Sequence, residues 1–175
     1  MNLLIILVIL FFILFFFIFY DRSCGITSNG VISYCKPFFF NMDYHVNGIN
    51  TGKKWECVEF VRRYYQQIHK LTFFPVEGAR EMRHLREMRH LENNFTYPCV
   101  FYPPSNSLPA EDDILLFDFE QTGHTAIVVR VIDADHVQIA EQNWRMWEHS
   151  HYSRVISLSD PTLIGWIHVQ NLGLA

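Results

Sequence analysis

One cysteine lies where the sequence pattern favours a nucleophilic thiolate. Cys57 begins a segment whose apolar residues recur every three or four positions, which predicts a helix over residues 56–70. The N-terminus of a helix places partial positive charge and free N–H groups beside a thiol, and the same N–H groups can hold an oxyanion. The competing interpretation of Cys57 is a buried structural cysteine.

His124 is the candidate base for this thiol. It follows Gly123 and precedes a predicted strand over residues 125–132, so it lies at the edge of a sheet rather than in its middle. A second short strand is predicted over residues 137–140. The turn residues between the two strands predict a β-hairpin.

Two polar residues after the second strand are candidates to orient His124. In a hairpin with a two-residue turn, Asn143 faces Ala126 and Glu141 faces Val128, and both point to the face that carries His124. Either side chain can accept a hydrogen bond from the imidazole and so fix its tautomer. Asn143 is nearer in this register, and Glu141 needs a bulge or a twist to reach the ring. The register alone does not choose between them.

The elements that must position these residues predict an α+β fold. After the helix, the chain contains few further helical signals, and one helix followed by antiparallel strands is an α+β arrangement. Short apolar segments separated by turn residues predict strands at residues 31–34, 114–119, 125–132, 137–140 and 164–169. Between the helix and the later strands, a stretch rich in proline is predicted to hold neither a helix nor a central strand; its prolines are Pro98, Pro103, Pro104 and Pro109.

The hexapeptide REMRHL occurs twice in tandem, at residues 80–85 and 86–91. The copy predicts a duplication within a helical or loop excursion. Its His84 and His90 raise the hypothesis of a metal site, but the interspersed charges are more typical of a solvated face. We therefore predict no metal site.

Composition limits the partners and the redox chemistry. The 175-residue chain has a formal net charge of −4 and no basic cluster, which argues against nucleic acid as a main partner. Its four cysteines show no C-x-x-C spacing, which argues against a zinc site or a thioredoxin motif. An oxidising compartment would allow Cys24 to pair with Cys35; in a reducing compartment both would be free thiols.

The N-terminus predicts a membrane anchor at residues 1–20, followed by one domain at 21–175. Residues 3–20 are all Leu, Ile, Val, Phe or Tyr, and as a helix they would be about 27 Å long, close to the roughly 30 Å of a hydrocarbon core. A cleaved signal peptide would have a basic start and small residues at its end, and a buried helix is seldom apolar on every face.

A single-pass anchor would place the protein at a membrane on a side that the sequence leaves open. Arg22 and Lys36 favour a cytoplasmic domain by the positive-inside tendency. The sequon at Asn94 is meaningful only in a secretory lumen.

Three ordered segments resemble one known family. Residues 50–63, NTGKKWECVEFVRR, resemble the nucleophile motif of the amidase domain found in glutathionylspermidine and trypanothione synthetases. The histidine and acidic motifs of that domain resemble residues 122–128, TGHTAIV, and residues 139–143, IAEQN. Residues 163–167 and 29–31 are similar to its closing and opening strands. The chain is thereby identified as a member of the CHAP superfamily over about residues 24–170.

The resemblance implies a papain-like fold of the NlpC/P60 and CHAP type, in which the helix of the catalytic cysteine packs on an antiparallel sheet. It also implies amide hydrolysis by Cys57, His124 and Glu141, with no metal or organic cofactor. Asn143 would contact the substrate or the oxyanion, and Arg62 would bind a substrate carboxylate. The substrate class of the family is a polyamine conjugated to the glycine carboxyl of glutathione.

Two alternatives to this function remain at the level of sequence. A peptidoglycan amidase or endopeptidase of the same superfamily would use the same Cys57, His124 and Glu141. A catalytically silent, membrane-anchored binding domain would keep the scaffold without the reaction.

Overall fold

The computed structural model describes residues 3–19, 22–35, 42–104, 107–144 and 153–172. Its first element is helix α1 (Leu3–Phe19), and the described side chains of this helix are mostly exposed. With 17 residues, α1 is about 26 Å long. Among the helices of the described ranges, none is long and apolar enough to cross a membrane.

The transmembrane anchor expected at residues 1–20 is therefore not supported. Residues 1, 2, 20 and 21 and Lys36, on which parts of the anchor and orientation predictions depend, lie outside the described residues.

The rest of the chain is built mainly from antiparallel strands around one helix. The helix is α2 (Cys57–Ile68), and a 3₁₀ helix follows at Ala79–His84. The strands are β1 (Ser23–Ile26), β2 (Ile32–Tyr34), β3 (Asp43–Val46), β4 (Ile49–Lys53), β5 (Leu71–Thr72), β6 (Glu87–His90), β7 (Thr96–Tyr102), β8 (Ile114–Phe117), β9 (His124–Val131), β10 (His136–Glu141), β11 (Ser153–Ser157) and β12 (Leu163–Val169).

Eight of these strands form one sheet in the order β11-β10-β9-β8-β12-β7-β6-β5. The pairs β1–β2 and β3–β4 form two small separate sheets. Every strand pairing of the described residues is antiparallel. The architecture agrees with the predicted α+β class and is consistent with a papain-like domain.

Helix α2 packs one face against the large sheet. Phe60, Val61, Tyr64 and Tyr65 are buried there with residues of β8, β9 and β12, which explains the helical spacing of apolar residues in the sequence. The helix ends two residues earlier than predicted, since Lys70 adopts a left-handed conformation with φ of 59°.

The two faces of β8 show how the sheet is buried on both sides. Ile114 and Leu116 belong to the core beneath α2, whereas Leu115 and Phe117 belong to a second core on the other face. A sheet that is covered on both faces holds its central strands firmly in place. Strands β9 and β10, which carry the candidate site residues, lie next to β8 in this sheet.

The two REMRHL copies adopt different conformations. The first copy lies in the 3₁₀ helix, and the second contains β6. The difference is tertiary, because the first copy buries Met82 against the core while the second pairs with β7 and buries Met88. His90 has a turn role, since its Nδ1 accepts the N–H groups of Glu92 and Asn93 at 3.2 and 3.3 Å. Within the described ranges, no three His, Cys, Asp or Glu side chains cluster to hold a metal.

The prediction that the proline-rich stretch excludes a central strand was wrong at Pro98. This proline lies within β7, between β6 and β12. Its carbonyl accepts the N–H of Gln170 at 2.9 Å, so its ring nitrogen faces the side where β12 has already ended. The missing N–H therefore costs no hydrogen bond in the ladder to β6.

The sequence left the state of Cys24 and Cys35 open, and the structure joins them in a disulfide. Their Cα atoms are 5.3 Å apart across the β1–β2 hairpin. Cys57 and Cys99 are free thiols, of which Cys99 is buried. The cysteine that the sequence analysis selected as nucleophile is thus a free, partly accessible thiol.

Candidate active site

The chain approaches Cys57 through a constrained turn. Cys57 is the first residue of α2, and the N-cap residue Glu56 is extended. Trp55, one residue earlier, has a left-handed φ of 63°. Its ring stacks on Tyr34 at 3.7 Å between centroids and lies 4.7 Å from Tyr44, which holds this unfavourable conformation in place. The thiol is thus fixed at the helix N-terminus, as predicted.

The His124 imidazole joins the thiol to a buried carboxylate. Its Nε2 lies 2.9 Å from Oε2 of Glu141, and the ring interacts with the side chain of Cys57, which contributes to the raised pKa of His124. Because Nε2 is engaged by Glu141, Nδ1 is the nitrogen that remains for the sulfur. His124 and Glu141 are both buried, whereas Cys57 is only partly buried. The three predicted residues therefore converge in one hydrogen-bonded row.

The pKa of His124 reflects these contacts. Burial alone lowers it, but the hydrogen bonds to Cys57 and to Glu141 outweigh burial and raise it to about 9. The ring is then an imidazolium at neutral pH, and an imidazolium beside a sulfur stabilises a thiolate. This arrangement is suited to activating a thiol for attack on a carbonyl carbon.

A change at the hairpin turn and a β-bulge together explain why the carboxylate, and not the amide, reaches the imidazole. Val137 pairs with Val131, which is already one residue away from the register of the expected two-residue turn. The register of β9 and β10 shifts by one more residue between Gln138 and Ile139, so that Val129 is an extra residue on β9. Beyond the bulge Glu141 pairs with Ala126, the position at which the regular hairpin placed Asn143. The bulge that Glu141 required is present.

Asn143 lies beyond the end of β10 and contacts the residue before the thiol. Its Nδ2 donates to Oε2 of Glu56 at 2.6 Å, and its φ is 58°. The contact ties the acidic motif to the N-terminus of α2. The role expected for Asn143, contact with the substrate or the oxyanion, stays a prediction.

Arg62 is engaged by backbone carbonyls, and its expected role, binding of a substrate carboxylate, stays a prediction. The side chain is buried, and its Nη1 and Nη2 donate to the carbonyls of Thr51 and Phe74 at 2.9 and 3.2 Å. Its guanidinium also lies over the ring of Phe73. Arg62 therefore braces the β4 and β5 regions against α2.

Two residues near the site, Gln142 and Arg154, were not predicted from the sequence. Gln142 is buried, and its Nε2 donates to the carbonyl of Glu56 at 3.1 Å and to Oε2 of Glu59 at 2.9 Å. Its place between Glu141 and Asn143 in the acidic motif was a usable signal. Arg154 donates to both oxygens of Glu141, and its sequence position on β11 contained no signal of this contact.

The protein has a cleft of about 970 Å³ whose lining includes none of Cys57, His124 and Glu141. It lies between the 3₁₀ helix and Gln121-Thr122, so its wall ends two residues before His124. Its lining carries charges of both signs, from Glu77, Glu81 and Glu87 and from Arg80, Arg83 and Arg86.

Comparison with known proteins agrees with this geometry. The family model described as "CHAP domain" matches residues 48–143, which include Cys57, His124 and Glu141. The chain is 31% identical over 137 residues to the "Bifunctional glutathionylspermidine synthetase/amidase" of Escherichia coli (strain K12), covering 66% of this chain and 22% of that protein.

Two proteins of Crithidia fasciculata are similarly related. Identity is 28% over 120 residues to "Trypanothione synthetase", and 32% over 146 residues to "Glutathionylspermidine synthase". These matches cover 65% and 68% of this chain, and 18% and 19% of the relatives. The chain thus spans about a fifth of the length of the curated relatives that it matches. The resemblance inferred from the motifs is confirmed, and the chain belongs to the CHAP domain family.

Proposed function

We propose that this protein is a cysteine-dependent amide hydrolase in which Cys57 is the nucleophile, His124 the general base and acid, and Glu141 the orienting carboxylate. The observation that supports the proposal is the row of thiol, imidazole and buried carboxylate, in which His124 lies 2.9 Å from Glu141 and interacts with Cys57. The match to the CHAP domain family and the similarity to an amidase support a hydrolase that acts on amides.

The cycle follows from the two protonation states of His124. At neutral pH the proton of Cys57 already resides on His124, and the thiolate of this ion pair attacks the amide carbonyl while the N–H groups at the start of α2 face the developing oxyanion. The imidazolium then protonates the departing amine, which leaves a thioester on Cys57. Water, deprotonated by His124, hydrolyses the thioester and restores the thiol. The cycle needs no metal or organic cofactor.

For the substrate we propose a glutathione–polyamine conjugate. The names of the bacterial and trypanosomatid relatives point to this class. Such a conjugate carries carboxylate and ammonium groups, and the cleft beside His124 offers arginines and glutamates together. A peptidoglycan peptide is the second candidate, because membership of the CHAP domain family does not distinguish between the two amides.

The test is hydrolysis by the purified chain of glutathionylspermidine and, separately, of a peptidoglycan stem peptide. Release of spermidine and glutathione is followed by mass spectrometry. Cys57→Ala removes the proposed nucleophile, and Cys99→Ala is the matched control, since Cys99 is the other free cysteine and is buried away from the row.

Each outcome assigns a function or removes one. We expect release of spermidine by the wild type and the Cys99 variant but not by the Cys57 variant. Cleavage of the stem peptide alone would replace the substrate and keep the mechanism. If the Cys57 variant and the wild type release amine equally, or neither cleaves any amide, the hydrolase is refuted and a binding domain is favoured.

A further inference from the structure

We propose that Arg154 is a positioning residue, which holds the Glu141 carboxylate in the orientation that hydrogen-bonds His124. The inference deepens the proposed function and depends on it for the catalytic meaning of the row. Arg154 lies on the edge strand β11, which pairs with β10 and so reaches Glu141 from the side opposite to His124.

Both oxygens of the carboxylate are engaged by Arg154. Its Nε donates to Oε1 of Glu141 at 2.6 Å, and its Nη2 donates to Oε2 at 3.3 Å. Oε2 is also the oxygen that lies 2.9 Å from Nε2 of His124. Two donors from a planar guanidinium fix the plane of a carboxylate, whereas one donor leaves it free to turn. Arg154 therefore determines which way Oε2 points.

The guanidinium is itself held in place by aromatic rings. It lies 4.1 Å from the ring centre of Trp144 and 5.7 Å from that of Phe117. The ring of Trp144 in turn packs edge-on against the His124 imidazole, with centroids 4.7 Å apart. Trp144 thus contacts both Arg154 and His124, and the three side chains surround the Glu141 carboxylate. Movement of one of these side chains would therefore displace the others.

The burial of Glu141 and Arg154 distinguishes their ion pair from an ordinary ion pair at the protein surface. The side chain of Glu141 is 1% exposed and that of Arg154 is 25% exposed, so water competes little for the carboxylate. Charged and titratable groups surround this carboxylate from three elements. His124 of β9 and Arg154 of β11 contact it directly. Helix α2 contributes Cys57 and the Glu59–Arg63 ion pair, which contacts Gln142, the residue next to Glu141.

The test is a double-mutant cycle read out by the alkylation rate of Cys57 with iodoacetamide at pH 7. This reaction reports the thiolate that His124 stabilises and needs no amide substrate. A failure of the proposed hydrolase would therefore leave this readout intact. The proteins are the wild type, Arg154→Met, Glu141→Gln and the double variant, with the alkylated residue identified by peptide mapping.

We expect Arg154→Met to slow alkylation about tenfold, because a carboxylate that turns away no longer orients the His124 ring and less of the Cys57 thiol is then present as thiolate. Glu141→Gln should slow it at least as much. Because Arg154 acts through Glu141, the double variant should be no slower than Glu141→Gln alone. Arg154→Lys, which keeps the charge but not the planar pair of donors, should recover only part of the rate.

Arg130→Met is the matched control, since Arg130 is an exposed arginine of the same sheet, on β9, which β10 separates from β11. It should alkylate at the wild-type rate, and thermal unfolding of each variant checks the fold. If Arg154→Met does not fold, Arg154→Gln takes its place in the cycle. An unchanged rate in the Arg154 variant, or effects of the two single substitutions that multiply in the double variant, would overturn the proposal.

Discussion

Replacing Glu141 by Gln should lower the pKa of His124, and this change measures how much the buried carboxylate contributes to the row. Glutamine keeps the shape of the side chain and can still hydrogen-bond the imidazole, but it carries no charge. The imidazolium then loses the anion whose Oε2 lies 2.9 Å from its Nε2. Burial, which opposes the charged ring, is unchanged.

The magnitude follows from the pKa of His124, which the hydrogen bonds to Cys57 and Glu141 raise from 6.5 to about 9 against the effect of burial. A pKa unit corresponds to about 1.4 kcal/mol, so the imidazolium is stabilised by about 3 kcal/mol relative to a free histidine. Since two partners share this stabilisation, loss of the carboxylate charge should lower the pKa by about one unit or more.

The assay is an NMR titration of isotope-labelled histidine, with the His124 resonance assigned by its absence from His124→Gln. We expect a titration near pH 9 in the wild type and near pH 8 or below in Glu141→Gln. Cys57→Ser gives the share of the sulfur in the same experiment. A His124 pKa that remains near 9 in Glu141→Gln would refute the reasoning, since the carboxylate would then have no part in the charge of the ring.

Three further predictions concern stability and local geometry. The contribution of His124 to the free energy of unfolding should be fully present below about pH 6.5 and should be lost as the pH rises through about 9, because folding raises the pKa of His124. Urea titrations of the wild type and His124→Gln would show whether this slope disappears with the ring. Replacing both Cys24 and Cys35 by serine should lower that free energy by about 2–3 kcal/mol, since the disulfide closes a short loop; an unchanged urea midpoint would contradict this. Gly123→Ala should reduce amide turnover about tenfold or more, because φ is +75° at Gly123 and a Cβ atom there would lie 3.0 Å from the Phe117 carbonyl oxygen, which would displace the neighbouring His124. Wild-type turnover with an unchanged melting temperature would show that the strand tolerates the change.

Local patterns in the sequence were sufficient to predict where Cys57 and His124 lie in the fold. Apolar spacing placed Cys57 at the start of a helix, and the turn before His124 placed it at the beginning of a strand, because both features depend on neighbours within a few positions. The choice between Glu141 and Asn143 needed the family resemblance. The bulge at Val129 shifts the register between β9 and β10. It depends on pairing between the strands, and no residue type in the hairpin predicts it.

Tertiary contacts decided what the sequence could not predict. Arg62 and Arg63 are neighbours in the nucleophile motif, yet Arg62 binds backbone carbonyls and Arg63 pairs with Glu59, a distinction that needs the packing around α2. The two REMRHL copies also show that local sequence does not determine local structure. The same six residues contribute to a 3₁₀ helix in one place and to a strand in the other, because their surroundings differ. Arg154 reaches Glu141 only because β11 pairs with β10.

Trapping the covalent intermediate tests the central claim most directly. Wild-type protein is mixed with excess glutathionylspermidine, quenched in acid within one turnover, and mapped by mass spectrometry. We predict a glutathionyl thioester on the peptide that contains Cys57, and none in His124→Ala. Hydrolysis of the amide with no adduct on Cys57, or with an adduct on another residue, would contradict the assignment of Cys57 as the nucleophile.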